Sequence, residues 1–180
     1  LNEIGFGKPS TIQATQGKFL NYANWGPINK TDTSKGLGLT VSALQFARAY
    51  TIFGDNGILH SVSLSERTID NSKKQLISVK TAQTIKEMML LDKQGDLNNY
   101  KISGQIAHII TPTKNEENEP SDKNIIVFAG VYPSKNPKIA FSFMLDTIEI
   151  NRNEKESYLN EITPKLLRMI ENLEINEYPL

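Results

Sequence analysis

The stretch from Gly36 to Tyr50, reading GLGLTVSALQFARAY, constrains the fold more than any other part of the chain. Two glycines one residue apart let the backbone turn tightly where a Cβ would obstruct it. Ser42 reads as an N-cap and Gln45 completes a capping box, each side chain satisfying a backbone N–H of the other. From Ala43 to Phe53 only Gln45, Arg48 and Thr51 interrupt Leu, Phe, Ala, Tyr and Ile residues. A helix that is apolar almost all round is expected to be wrapped by the rest of its domain. Asn56-Gly57 supplies the turn that ends it.

Around this helix the chain has room for one sizeable core, since 180 residues make one domain or most of one. Twenty basic and twenty acidic residues cancel, so no global field recruits nucleic acid or an anionic membrane. No apolar run approaches the length of a membrane span, and no basic-then-apolar segment opens the chain. The absence of cysteine excludes thiolate metal sites, disulfides and a cysteine nucleophile. The first residue is Leu1, not Met, which suggests a processed product or a segment of something longer.

The remaining elements follow from pattern. Residues 1–41 are rich in Gly, Asn, Thr and Pro and read as loop, with Trp25 an anchor packed on the core. Residues 42–95 form a helical region. Within it Ile58 to Leu64 is a short extended segment, and Glu66 to Lys74 a polar connection. Ser78 caps a second helix with Ala82, Ile85, Met88 and Met89 as its apolar positions and Gly95 as its stop. From residue 100 the period becomes two. Strands are expected at Gln105–Ile110, Asn124–Val131 and Lys138–Asp146, with a polar loop from Thr111 to Lys123 and a turn from Tyr132 to Pro137. Glu154 to Leu173 has helical spacing, and Pro164 should start a new segment or kink it. The fold class is therefore α+β: a three-stranded antiparallel meander packed with helices.

The sequence also resembles a known family. The pattern G-x-G-L-x-V-S-x-L-Q-x-A-x-A-Y, ending in N-G, is similar to the core helix of penicillin-binding protein transpeptidase domains. The likeness is greatest to the class B, division-specific septal peptidoglycan transpeptidases. Ile4-Gly5-Phe6-Gly7-Lys8, Gly17 with Trp25, Tyr100-Lys101-Ile102, Gly130-Val131-Tyr132-Pro133 and Asn136-Pro137-Lys138-Ile139-Ala140 resemble further family elements. The resemblance runs from Leu1 to Leu180 and covers the C-terminal part of such a domain. It implies cell-wall synthesis at the division septum, in the periplasm or on the extracytoplasmic face of the inner membrane.

The chemistry of that family is largely missing. Acyl transfer needs a serine with a lysine one helical turn on, and no Ser-x-x-Lys occurs here. Thr15 to Lys18 and Thr111 to Lys114 have the spacing but fall in loop-like stretches. Ser134-Lys135-Asn136 has the letters of the family's second motif, Ser-x-Asn, but falls in a turn between strands. The third motif, Lys-Thr-Gly-Thr on an edge strand, is expected at Gln105, Ile106, Ala107 and His108. An amide replaces the cation, a hydrocarbon the hydroxyl, and Ala107 the glycine. Lys80-Thr81-Ala82 looks similar but belongs to a helix. The backbone of Gln105 to His108 still offers hydrogen bonds to an added peptide strand, and the His108 N–H takes the place of one oxyanion-hole donor.

His60 and His108 have no acidic or histidine neighbour close in sequence, so His60 is read as a loop residue and His108 as a strand residue at an old site. No cofactor or metal is implied, and the chain by itself is expected to be inactive. The leading expectation is a catalytically degenerate transpeptidase-like domain acting by binding or scaffolding. The alternatives are part of an active D,D-transpeptidase with its serine on an upstream segment, and a generic α+β interaction domain. Expected partners are the N-terminal part of the same domain or a strand-donating protein, a peptidoglycan stem peptide and other division proteins.

Overall fold

The computed structural model describes residues 3–6, 40–63, 72–90, 102–114 and 120–147, together with residues 161, 164–166, 168, 169 and 172. Helix α1 spans Ala43–Gly54, and its N-terminus is the capping box read from the sequence. Ser42 Oγ accepts from the Gln45 N–H at 3.2 Å, while Gln45 Oε1 accepts from the Ser42 N–H at 3.0 Å. The other end of the same amide donates to the Gly5 carbonyl oxygen at 3.3 Å, which docks the turn at residues 3–6 on the helix. Arg48 does similar work, giving hydrogen bonds to the carbonyls of Ile4 and His60. Phe6 is buried, its ring centroid 6.1 Å from that of Phe46.

Helix α1 is less enclosed than its composition implies. Of its side chains only Gln45 and Ile52 are fully buried. It lies on one face of the sheet, against strands β4 (Pro120–Tyr132) and β5 (Ile139–Thr147). The rest of the helix is half-buried and none of it is exposed, because besides the sheet it meets the turn at residues 3–6 and the segments Ile58–His60 and Val79–Met88.

Helix α1 ends as the Asn-Gly pair requires. Asn56 and Gly57 both have positive φ, 50° and 94°. A Cβ on Gly57 would lie 2.1 Å from the Ile77 carbonyl oxygen, so this approach of two backbones admits only glycine. The turn leads into β1 (Ile58–His60), which pairs antiparallel with β2 (Lys73–Gln75). The sequence reading runs β1 on to Leu64 and treats Lys73 and Lys74 as connection. All three β2 side chains are exposed, so no apolar alternation marks the strand; pairing with β1 forms it.

Helix α2, Val79–Met88, starts at the Ser78 cap, whose Oγ accepts from the Thr81 N–H at 3.1 Å. Ala82 is wholly buried, but Met88 is 80% exposed and not the core filler expected. The helix also stops well before Gly95, which lies outside the described residues. The backbone is diverted: Leu90 forms a bridge with Ser103, and the Gly104 N–H donates to the Met89 carbonyl at 2.9 Å.

Strands β3 (Ser103–Lys114), β4 and β5 form the expected antiparallel meander in the order β3-β4-β5. The ladder continues to Lys114 opposite Pro120, so most of the expected loop from Thr111 to Lys123 is strand, built by pairing and not by apolar pattern. One face carries a cluster of Ile102, Phe128 and Phe141, with Ile106, Tyr132, Ile139 and Phe143 packed on it. The Phe128 and Phe141 rings meet edge to face at 5.0 Å. Burying a side chain of this size stabilises by about 1.5–3 kcal/mol. The opposite face, with Val127, Ala129 and Val131 buried, receives α1, whose Gly54 closely approaches Val131 and Pro137. Near the C-terminus, Glu161, Pro164, Lys165, Leu166, Arg168, Met169 and Asn172 are helical, and Lys165 pairs with Glu161 at 2.7 Å. Trp25, Gly17 and Lys101 lie outside the described residues.

Candidate functional site

Strand β3 pairs with β4 along one side, and among the described residues its other side is open except at its first two positions. There Met89 and Leu90 close it, and the Gly104 N–H points outward to reach Met89. In an antiparallel ladder each residue sends its N–H and C=O the same way and its neighbours send theirs the opposite way. The β3–β4 register is unbroken from Ser103 to Lys114. Ile106 and His108 therefore present their peptide groups at the free edge, while Gln105 and Ala107 bond to Ala129 and Val127.

The side chains at these positions divide between the two faces. Gln105 and Ala107 are exposed, on the same face as Ser103. Ile106 packs into the Phe128 cluster, where a hydroxyl would be in an apolar setting. The side chain of His108 lies outside the described residues; its backbone stands opposite Ile126. Between Gln105 and His108 the strand offers an extended peptide two outward peptide groups and no lysine or arginine.

The other sequence candidates are separated from this edge. Lys80, Thr81 and Ala82 lie in the first turns of α2. Ser134 is buried in the β4–β5 connection, just after the cis Tyr132–Pro133 bond. Thr111 to Lys114 belong to β3 and not to a loop, and a strand equally lacks the one-turn geometry of Ser-x-x-Lys. Thr15 to Lys18 lie outside the described residues.

His60 departs from its sequence reading. It is the last residue of β1, and its Nε2 lies 2.6 Å from Oδ2 of Asp55, with Lys73 Nζ 3.9 Å from the same oxygen. The partner is five residues back, across the Asn-Gly turn that brings strand to helix end; that turn was the available signal. Asp55 and His60 border a cavity of about 380 Å³ that Asn136 and Lys138 also line. Thr51 Oγ1, the hydroxyl there, donates to the Arg48 carbonyl at 2.7 Å and accepts from the His60 N–H at 3.2 Å. With that oxygen engaged on both sides, the pair has no free hydroxyl to activate among the described residues lining the cavity. Among the described residues no three His, Asp or Glu side chains gather to hold a metal. On the same helix, burial raises the pKa of Tyr50, which keeps its phenol neutral.

The profile of the penicillin binding protein transpeptidase domain matches residues 1–168. The chain belongs to this family. The transpeptidase PenA of Neisseria meningitidis, described as a probable peptidoglycan D,D-transpeptidase, is 28% identical over 140 residues, covering 73% of this chain and 24% of PenA. The peptidoglycan D,D-transpeptidase FtsI of a Buchnera aphidicola subspecies is 26% identical over 142 residues, 73% of this chain and 25% of that protein. The transpeptidase domain of penicillin-binding protein 3 from Burkholderia pseudomallei superposes with a TM-score of 0.63 at 26% identity, over 82% of this chain and 47% of that one. This transpeptidase-family chain thus spans about a quarter of the length of the curated relatives, at 24% and 25%. The mixed helix and antiparallel sheet architecture is that of penicillin-binding transpeptidase domains.

Proposed function

We propose that this chain is the C-terminal part of a transpeptidase-like domain serving peptidoglycan synthesis at cell division, outside the cytoplasm, and that its third-motif strand binds peptide without performing acyl transfer. The observation that carries this reading is the β3 edge: outward peptide groups at Ile106 and His108 beside Gln105 and a core-packed Ile106. An added strand takes its affinity from such main-chain bonds. Catalysis is more demanding, since removing one preorganised donor to a developing charge costs about 10²–10³ in rate. The similarity to PenA, a probable peptidoglycan D,D-transpeptidase, and to the peptidoglycan D,D-transpeptidase FtsI supports a peptidoglycan peptide as the ligand and an extracytoplasmic setting. The second edge of the sheet, β5, is read as the place of a strand from the rest of the domain or from a partner.

Intact-mass spectrometry after exposure to a fluorescent penicillin tests this reading. No acyl adduct is expected on the chain. A stoichiometric mass increase localised to one of its serines would overturn the degenerate assignment.

A further inference from the structure

The turn between α1 and β1 carries the chain's one Asn-Gly pair, Asn56-Gly57. Such a pair is chemically labile. The nitrogen of the second residue can attack the asparagine Cγ, and glycine has no side chain to obstruct the approach. Asn56 is exposed, so its side-chain amide stands in water. Gly57, which supplies the attacking nitrogen, is buried.

The fold holds the groups that this reaction has to move. The Gly57 N–H donates to the Ile52 carbonyl at 2.7 Å, and the Gly57 carbonyl accepts from the Leu76 and Ile77 N–H groups at 2.9 and 3.4 Å. The Asn56 carbonyl accepts from Gln75 Nε2 at 3.0 Å, and Asn56 Oδ1 accepts from Gln83 Nε2 at 3.3 Å. Attack requires the Gly57 nitrogen to lose its proton and swing toward Cγ, which breaks the bond to Ile52. The Ile77 backbone also crowds that movement, its carbonyl oxygen lying 2.1 Å from the place of a Gly57 Cβ.

We infer that Asn56 is a modification site gated by this turn, closed to deamidation in the folded chain and open to it when the Gly57–Ile52 bond is broken. In the open state the Gly57 nitrogen gives its proton to a base from solvent and bonds to Cγ. The Cγ–Nδ2 bond breaks, and the side-chain nitrogen takes a proton from water and leaves as ammonia. Water then opens the cyclic imide, with no change of oxidation state. Addition at Cγ leaves aspartate; addition at the Asn56 main-chain carbonyl leaves isoaspartate. Both products oppose reclosure. Aspartate puts a second carboxylate beside Asp55 at the C-terminal end of α1, where negative charge is disfavoured. Isoaspartate runs the main chain through the side-chain carbons and lengthens it by a methylene, in a turn where Gly57 packs against the Ile77 backbone. Asn56 therefore converts transient openings of this joint into lasting ones.

The test incubates the full chain at mildly alkaline pH, folded and unfolded in guanidinium, and follows Asn56 by peptide mass spectrometry. Enzymatic methylation of the isoaspartyl carboxyl group reads that product separately. Asn56 should deamidate at least about tenfold more slowly in the folded chain, because the reaction tracks the open population. In a Gln75→Ala, Gln83→Ala variant the folded-state rate should rise while the unfolded-state rate stays unchanged. Chain carrying isoaspartate at this position should unfold at lower denaturant than unmodified chain. Equal rates in folded and unfolded wild type overturn the gate, and no conversion even in guanidinium overturns the site. The wild-type comparison decides the matter even if the double variant does not fold.

Discussion

Asp55 Oδ2 lies 2.6 Å from His60 Nε2 and ties the C-cap of α1 to the last residue of β1. The two side chains are 39% and 32% exposed, so water screens the pair. His60 is also held through its backbone, by Arg48 and Thr51, independently of its ring. Asp55→Asn should therefore cost no more than about 1 kcal/mol in urea denaturation. A larger loss would mean that the pair does more than join the two elements.

Two neighbouring glycines should respond in opposite ways to the same change. Gly57→Ala meets the Ile77 carbonyl at 2.1 Å in a left-handed conformation and should cost more than about 3 kcal/mol or prevent folding. Gly54→Ala lies in the helix, with its nearest neighbour at 3.4 Å, and gains up to about 1 kcal/mol of helix propensity to set against that contact. It should be close to neutral. Thermal melts of the two variants make the comparison.

Rebuilding the third motif should separate by face. Gln105→Lys and Ala107→Gly alter exposed positions, and the glycine should account for most of their cost, about 0.5–1 kcal/mol. Ile106→Thr replaces an ethyl group in the Phe128 cluster with a hydroxyl, at about 1–3 kcal/mol. Denaturation of the three single variants should rank Ile106→Thr as the most damaging. If it is harmless, Ile106 contributes little to the cluster.

Much of this site could be read directly. The Ser42–Gln45 box, the Asn-Gly stop and the placement of Gln105 to His108 on a strand are local signals, and each is where the residues put it. The features that escaped are set by distant neighbours. β2 has no apolar face and exists because β1 pairs with it. Met88 has the spacing of a core residue but faces water, since α2 ends where Leu90 turns to meet Ser103. Asp55 and His60 meet across a turn recognised only as a helix stop.

The Glu3 carboxyl should titrate below its ordinary value, because Lys74 first hydrogen-bonds it and then adds charge attraction. A lowered folded-state pKa contributes stability that is present above the unfolded value and lost as pH falls through the folded one. The contribution should thus disappear on acidification and not on raising the pH, and added salt should shrink it, since both groups are exposed. Carboxyl NMR of wild type and Lys74→Ala checks the sign: the variant's Glu3 should titrate at higher pH.

Strand β5 gives an exchange prediction. Continuing the alternation from Gly104 across the unbroken registers directs the amides of Phe141 and Phe143 to β4 and those of Ala140, Ser142 and Met144 outward. In a dilute sample shown to be monomeric, the outward set should exchange faster. Equal protection would show that the edge is covered from within the chain, removing the need for a strand from elsewhere.

Gln45 uses one amide for two tasks, its oxygen closing the first turn of α1 and its nitrogen holding Gly5. The first can be completed by a peptide of a dozen residues; the second requires chain from forty positions earlier. Gln45→Glu would separate them. The carboxylate could still accept from Ser42, yet it would face the Gly5 carbonyl with no hydrogen to give. Helix initiation and one of the bonds that dock the upstream segment thus meet in a single side chain, and a lineage that kept the helix while changing this amide would leave its amino-terminal turn to Arg48 and the Phe6–Phe46 contact.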